Sequence, residues 1–233
     1  MNIFTLKLIA AFAMLLDHIG LFFPNLKISL FFHWIGRIAA PIFIFGIING
    51  LKHTHSKRFY LIRLYIGSVA MSIIQAFTEI HLNFFRTLFV IACIICILEE
   101  KRENPSKSTR KRLPLYILYQ VFSCTFCIQC LANSTTIHES VFYYILPAIL
   151  GNVFLMEGGI VYVFLGIFMY LFFEHKRNFS LSYIGFILFY MICSATDFLP
   201  IVLWRIIQNL PIIGNSLAEC LDFLLSTIIG FLP

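Results

Sequence analysis

Apolar residues fill this chain in long blocks, and short polar clusters separate them. The blocks run over residues 4–23, 30–50, 59–78, 84–98, 113–131, 141–156, 158–173, 181–199 and 216–232. A bilayer core about 30 Å thick needs about 20 apolar residues of helix to cross it. Most blocks approach that length; 84–98 and 158–173 are short. The segment 200–215 carries Pro200, Trp204, Arg205 and Pro211, which suits an interfacial helix or a re-entrant piece better than a span. The pattern predicts an all-α fold, a polytopic transmembrane helical bundle of about eight to nine spans, in one integral membrane domain over 1–233 without internal repeats. The first block is long enough to span and lacks a small-residue cleavage site, so it is expected to stay as a helix. The polar stretch EEKRENPSKSTRKR, residues 99–112, is expected as a solvated loop.

Composition agrees with the pattern. Hydrophobic residues make up 60% of the 233 residues and charged ones 12%, too little charge to cover a soluble domain of this length. The formal net charge of +6 sits in short loops between apolar blocks. It therefore points to topology and to anionic headgroups or phosphates, not to nucleic acid. Three loops are basic: Lys52 to Arg58, Lys101 to Arg112, and Lys176–Arg177. Basic loops face the cytoplasm, which puts the amino terminus, with Lys7, inside and the loops near 24–29, 79–86 and 132–140 outside.

If 113–131, 141–156 and 158–173 all crossed, Lys176–Arg177 would fall outside. The arrangement stays consistent when 141–156, with Pro147 and Gly151, enters without crossing fully; broken backbone is tolerated where protein buries it.

Inside the first block, Asp17 and His18 stand side by side in AMLLDHIGLFFP. An ionisable residue at the centre of a span costs roughly 2.5–3.5 kcal/mol on insertion scales, so such residues are functional candidates. By helical rise His18 lies roughly 7–8 Å below the outer boundary. Arg37 falls at a similar depth in the second block, so Asp17, His18 and Arg37 are expected on one level. Adjacent helical residues point about 100° apart. His18 is expected to face a polar cavity while Asp17 turns to the neighbouring helix and pairs with Arg37. The blander alternative is a buried Asp17–Arg37 pair that only fixes helix register.

Glu79, His81, Arg86, Glu157 and Asp197 fall near the same outer level. Each alone reads as a loop or interface residue; together they are candidates for lining an outward-opening cavity. On the inner side Lys52, His53, Lys57, Arg58 and Arg63 are candidates for holding phosphates, which lysine and arginine recognise well. His53 and His55 lie on different helix faces, which argues against a metal site. Cys93 and Cys96, and Cys124, Cys127 and Cys130, read as packing residues. No Gly-rich phosphate loop, His-Glu-x-x-His or Gly-x-Ser-x-Gly is present, so ATP-driven, zinc-hydrolase and serine-hydrolase signatures are absent.

The strings LKLIAAFAMLLDHIGLFFP and FHWIGRIAAPIFIFGIINGLKHTHSKRFYLIRL resemble the TraX family over residues 6–64. FFRTLFVIACIICILEEK and EGGIVYVFLGIFMYLF resemble later family segments. Asn49 stands where members often carry a glutamate. The resemblance implies an integral membrane acetyltransferase of the kind that acetylates the amino terminus of conjugative pilin, related to the transmembrane acyltransferases. It implies acetyl-CoA as acyl donor, an intramembrane histidine at the centre, and His18, Asp17 and Arg37 as site residues. The expected acceptor is a peptide or pilin-like amino terminus, a sugar or a small molecule. Membrane lipid is the other expected partner, and the bacterial cytoplasmic membrane the location. His18 would act as general base, with an acetyl-histidine step as a variant. The alternative function is a transporter, export component or conjugation-apparatus scaffold without acyl transfer.

Overall fold

The structure is a computed structural model that describes residues 2–23, 25, 28–36, 38–78, 83–133, 141–153, 156 and 159–196. The expected segments at 200–215 and 216–232 lie outside the described residues. The helices are α1 (Ile3–Phe22), α2 (Ser29–Gly36), α3 (Ala39–His53), α4 (Lys57–Thr78), α5 (Phe84–Glu103), α6 (Lys107–Ala132), α7 (Leu146–Ile149), α8 (Gly159–Leu171) and α9 (Lys176–Thr196). One π-helical turn, Val141–Ile145, precedes α7. No strand occurs among the described residues. The helices α1, α4 and α6 are long and apolar enough to cross a membrane, and α3 and α8 are shorter apolar helices.

The expected block 30–50 is two helices, not one. The physical reason is Pro41 in the first turn of α3. It has no N–H to bond the carbonyl four residues earlier, and its ring would clash with that carbonyl in a continuous helix. A helix therefore starts just ahead of Pro41 and does not run through it. The second correction concerns 99–112. Instead of a solvated loop, α5 continues to Glu103 and α6 begins at Lys107. Ser106 caps α6 by accepting from the Thr109 N–H at 3.2 Å, and Thr109 Oγ1 donates to the Asn104 carbonyl at 2.6 Å. Side-chain capping lets a charged segment remain helical.

Helix α5 is the axis of the core. Its Val90, Ile91, Ala92 and Ile95 have no exposure, and they pack with Ile44, Ile48 and Leu51 of α3 and Val163, Leu165 and Met169 of α8. By contrast α1 buries only small residues, Ala10, Ala13 and Gly20, with Ala39 packed against the two alanines. Small residues let membrane helices approach closely without a large apolar core.

The ends of the bundle are set by its ion pairs. Lys52 pairs with Glu174, and its ammonium sits 4.5 Å from the Phe173 ring centroid. Lys57 meets Glu99 at 2.9 Å and Glu103 at 3.7 Å, and Arg112 pairs with Glu100. These contacts bring the three basic connections to one end. Lys7 lies over Gly46 and Asp17 over Gly36, so α1 runs antiparallel to α2 and α3 and starts at that basic end.

The segment 141–153 is a π-helical turn followed by a four-residue helix, and it packs against α4 and α6. The Tyr65 hydroxyl donates to the Ile149 carbonyl at 2.8 Å, and Tyr119 to that of Leu150 at 2.6 Å. Both tyrosines lie well inside their helices. The chain turns at Gly151, whose φ of 58° is favourable for glycine. A Cβ there would also stand 2.7 Å from Phe89. From this turn the chain leads to α8, which runs back to the basic end.

Candidate functional site

Asp17 and His18 lie about one turn from the end of α1, away from the basic connections. Both are half-buried. The His18 Nδ1 lies 2.8 Å from the Met14 carbonyl oxygen. A carbonyl only accepts, so Nδ1 carries a proton, which in a neutral imidazole leaves the acceptor lone pair on Nε2. The helix itself thus sets the tautomer and orients the ring.

Asp17 projects onto α2. An added Cβ at Gly36 would fall 2.3 Å from Asp17 Cβ and 2.5 Å from its Oδ1. Glycine is therefore needed for the carboxylate to approach the α2 backbone. Arg37, the next residue, lies outside the described residues, as do Glu79, His81, Glu157 and Asp197. Ser29 fastens the same corner by donating to the Gly20 carbonyl at 2.9 Å. The α3 helix begins three residues after Gly36 with no side-chain cap at Ile38.

The five candidate phosphate contacts separate into two groups. Lys52 and Lys57 face carboxylates, as described above. His53, Arg58 and Arg63 are exposed, with His53 Nδ1 held 2.8 Å from the Asn49 carbonyl. The Lys52 ammonium donates to Glu174 and holds that exposed carboxyl below its ordinary range.

A second polar group emerges that the charge pattern concealed. Arg86, expected as an outer loop or interface residue, is only 2% exposed. It lies in the first turn of α5, just after Asn83, whose side chain caps that helix by accepting from the Arg86 N–H. Asn83 Nδ2 donates to the Ser68 carbonyl at 3.1 Å and to Ser72 Oγ at 2.6 Å, while Ser72 donates to Gln75. Across the bundle Gln120 donates to the Gly151 carbonyl at 3.2 Å and accepts from the Val153 N–H at 2.9 Å. Asn152 donates to Cys127 Sγ at 3.2 Å. The signal was periodic: Ser68, Ser72 and Gln75 share one face of α4, and Gln120, Ser123 and Cys127 share one face of α6. In an apolar helix, such a polar stripe marks the side turned inward.

The bundle of membrane-length helices, with an aspartate and a histidine set into the first, defines an integral membrane protein with a polar site inside its apolar part. Residues 3–213 match the family model described as TraX protein, and the chain belongs to the TraX family. No curated protein and no solved structure matches it.

Proposed function

We infer that the chain is an integral membrane acetyltransferase, moving an acetyl group from cytoplasmic acetyl-CoA to an amine or hydroxyl acceptor. The observation that carries this reading is His18, held by Met14 with Nε2 as the basic nitrogen, in the Asp-His motif of a TraX chain. The reading includes eight full crossings, a returning segment at 141–156, a cytoplasmic amino terminus and placement in the bacterial cytoplasmic membrane. The pilin-like amino terminus is the acceptor class that the family membership favours.

In this mechanism Nε2 of His18 takes the proton of the acceptor as its nitrogen or oxygen attacks the thioester carbonyl carbon. The carbon–sulfur bond breaks, and the imidazolium returns a proton to the departing CoA thiolate. An imidazole can both take up and return a proton, so one side chain serves both steps. Asp17 positions the α1–α2 corner and favours the imidazolium as it forms. Arg37 either pairs with Asp17 or steadies charge on the thioester oxygen. Exposed His53, Arg58 and Arg63 are the side chains available to CoA phosphates, with Lys52 and Lys57 joining them by exchanging carboxylate partners. From Ile3 to His18 the helical rise is roughly 22 Å, so the acetyl end must reach deep into the bundle.

The test is acetyl-CoA binding by calorimetry on the purified protein in detergent, beside His18→Ala. Binding in both, with CoA released by a candidate acceptor peptide only in the unsubstituted protein, supports the reading. No binding by either folded protein overturns it and favours a transporter or scaffold.

A further inference from the structure

The first two turns of α6 carry Lys107, Arg110 and Lys111, all exposed. They share an outward face with Leu115, Leu118 and Phe122, which are 64%, 64% and 70% exposed. The opposite face is buried through Thr109, Gln120, Ser123 and Cys127. Thus one continuous outer stripe changes from basic to apolar within about one helical turn. The same order recurs on α9, where Lys176 and Arg177 precede exposed Leu181 and Ile184.

The nearby carboxylates are already engaged. Glu99 and Glu103 hold Lys57, Glu100 holds Arg112, and Glu174 holds Lys52. Among the described residues, no carboxylate forms an ion pair with Lys107, Arg110 or Lys111. Their positions are fixed by the Ser106 cap and the Thr109 bond to Asn104.

We propose that the Lys107–Arg110–Lys111 face binds the phosphate headgroups of anionic lipids, while Leu115, Leu118 and Phe122 contact the acyl chains of the same leaflet. The proposal rests on the membrane reading and is independent of acetyl transfer. A soluble phosphate ligand would be served by cations alone; the continuation of this stripe into exposed apolar residues matches a headgroup standing above its chains. Lysine and arginine at this level keep their charged ends in the headgroup layer and lay their stems along apolar surface.

The test places the full chain in nanodiscs of zwitterionic lipid, with or without phosphatidylglycerol, and follows thermal unfolding and retention of labelled phosphatidylglycerol. The expected result is a higher Tm in the anionic discs and a loss of that increment in K107Q/R110Q/K111Q. Equal Tm values for the two proteins in zwitterionic discs establish that the variant folds. Retention of labelled lipid should fall about fivefold for each charge removed. Should the triple variant not fold, K107Q and K111Q singly carry the same expectation at smaller size. An equal increment in wild type and variants overturns the proposal. So does an identical stabilisation of the detergent-solubilised protein by inorganic phosphate, which would identify a soluble-anion site. Acetyl-CoA binding is scored separately, so a failure here leaves the functional reading standing, and the reverse.

Discussion

The α1–α2 corner and the polar seam around Asn83 use similar residues for opposite ends. At the corner, Asp17 and His18 are half-buried and packed among small residues, with glycine beneath the carboxylate. In the seam, Ser68, Ser72, Gln75, Asn83 and Arg86 are buried, and several bond across helices. A reacting group needs an approach and a free lone pair; a fastening group needs its partners and no approach. In the proposed function the corner meets the first requirement through His18 Nε2. The seam meets the second by joining α4 to the start of α5, while Gln120 and Asn152 fasten the returning segment to α6.

The sharpest way to separate the two regions is by substitution. His18→Ala is expected to lower acetyl transfer by about 10²–10⁴-fold, the range for loss of a general base, with unfolding unchanged. Kinetics and thermal unfolding on one preparation check both parts; an equal loss of stability would place His18 with the seam. Asn83→Ala should do the opposite. It removes a helix cap and leaves buried Ser72 and Ser68 groups without their donor, costing about 2–4 kcal/mol. Denaturant unfolding in mild detergent measures that loss, and the activity of the remaining folded fraction should be near normal.

Gly36→Ala tests the join between chemistry and packing. Its Cβ would collide with Asp17, and overpacking of this kind costs about 1–3 kcal/mol. Under the proposed function activity should fall more than stability, because the displaced carboxylate stands beside His18 in the proposed site. Smallest is the effect of Glu174→Gln at the basic end. The Glu174 carboxyl is held below its ordinary value by Lys52, so its contribution is present above the ordinary carboxylate range and is lost as pH falls through the lowered folded value. A pH series of unfolding should show that small acid-side step in the unsubstituted protein and lack it in the variant. The step should shrink with salt, since Glu174 is exposed.

Residue order alone determined that this is a helical membrane chain, because unbroken apolar blocks leave few other ways to satisfy the backbone in lipid. It also singled out Asp17 and His18, since charge inside such a block is costly. Hydrophobicity could not separate α2 from α3, because Arg37 and Pro41 interrupt an otherwise apolar run without making it polar. Nor did charge counting reveal the seam, whose members are mostly uncharged and come from α4, α5, α6 and the returning segment. Only tertiary structure decided which partners each polar group has. Asp17 lies over Gly36, Lys52 meets Glu174, and Asn83 meets Ser72, each across a distance in sequence that helix periodicity does not encode. A helix pattern fixes the face on which a residue stands; the packing of one helix on another decides what that face meets.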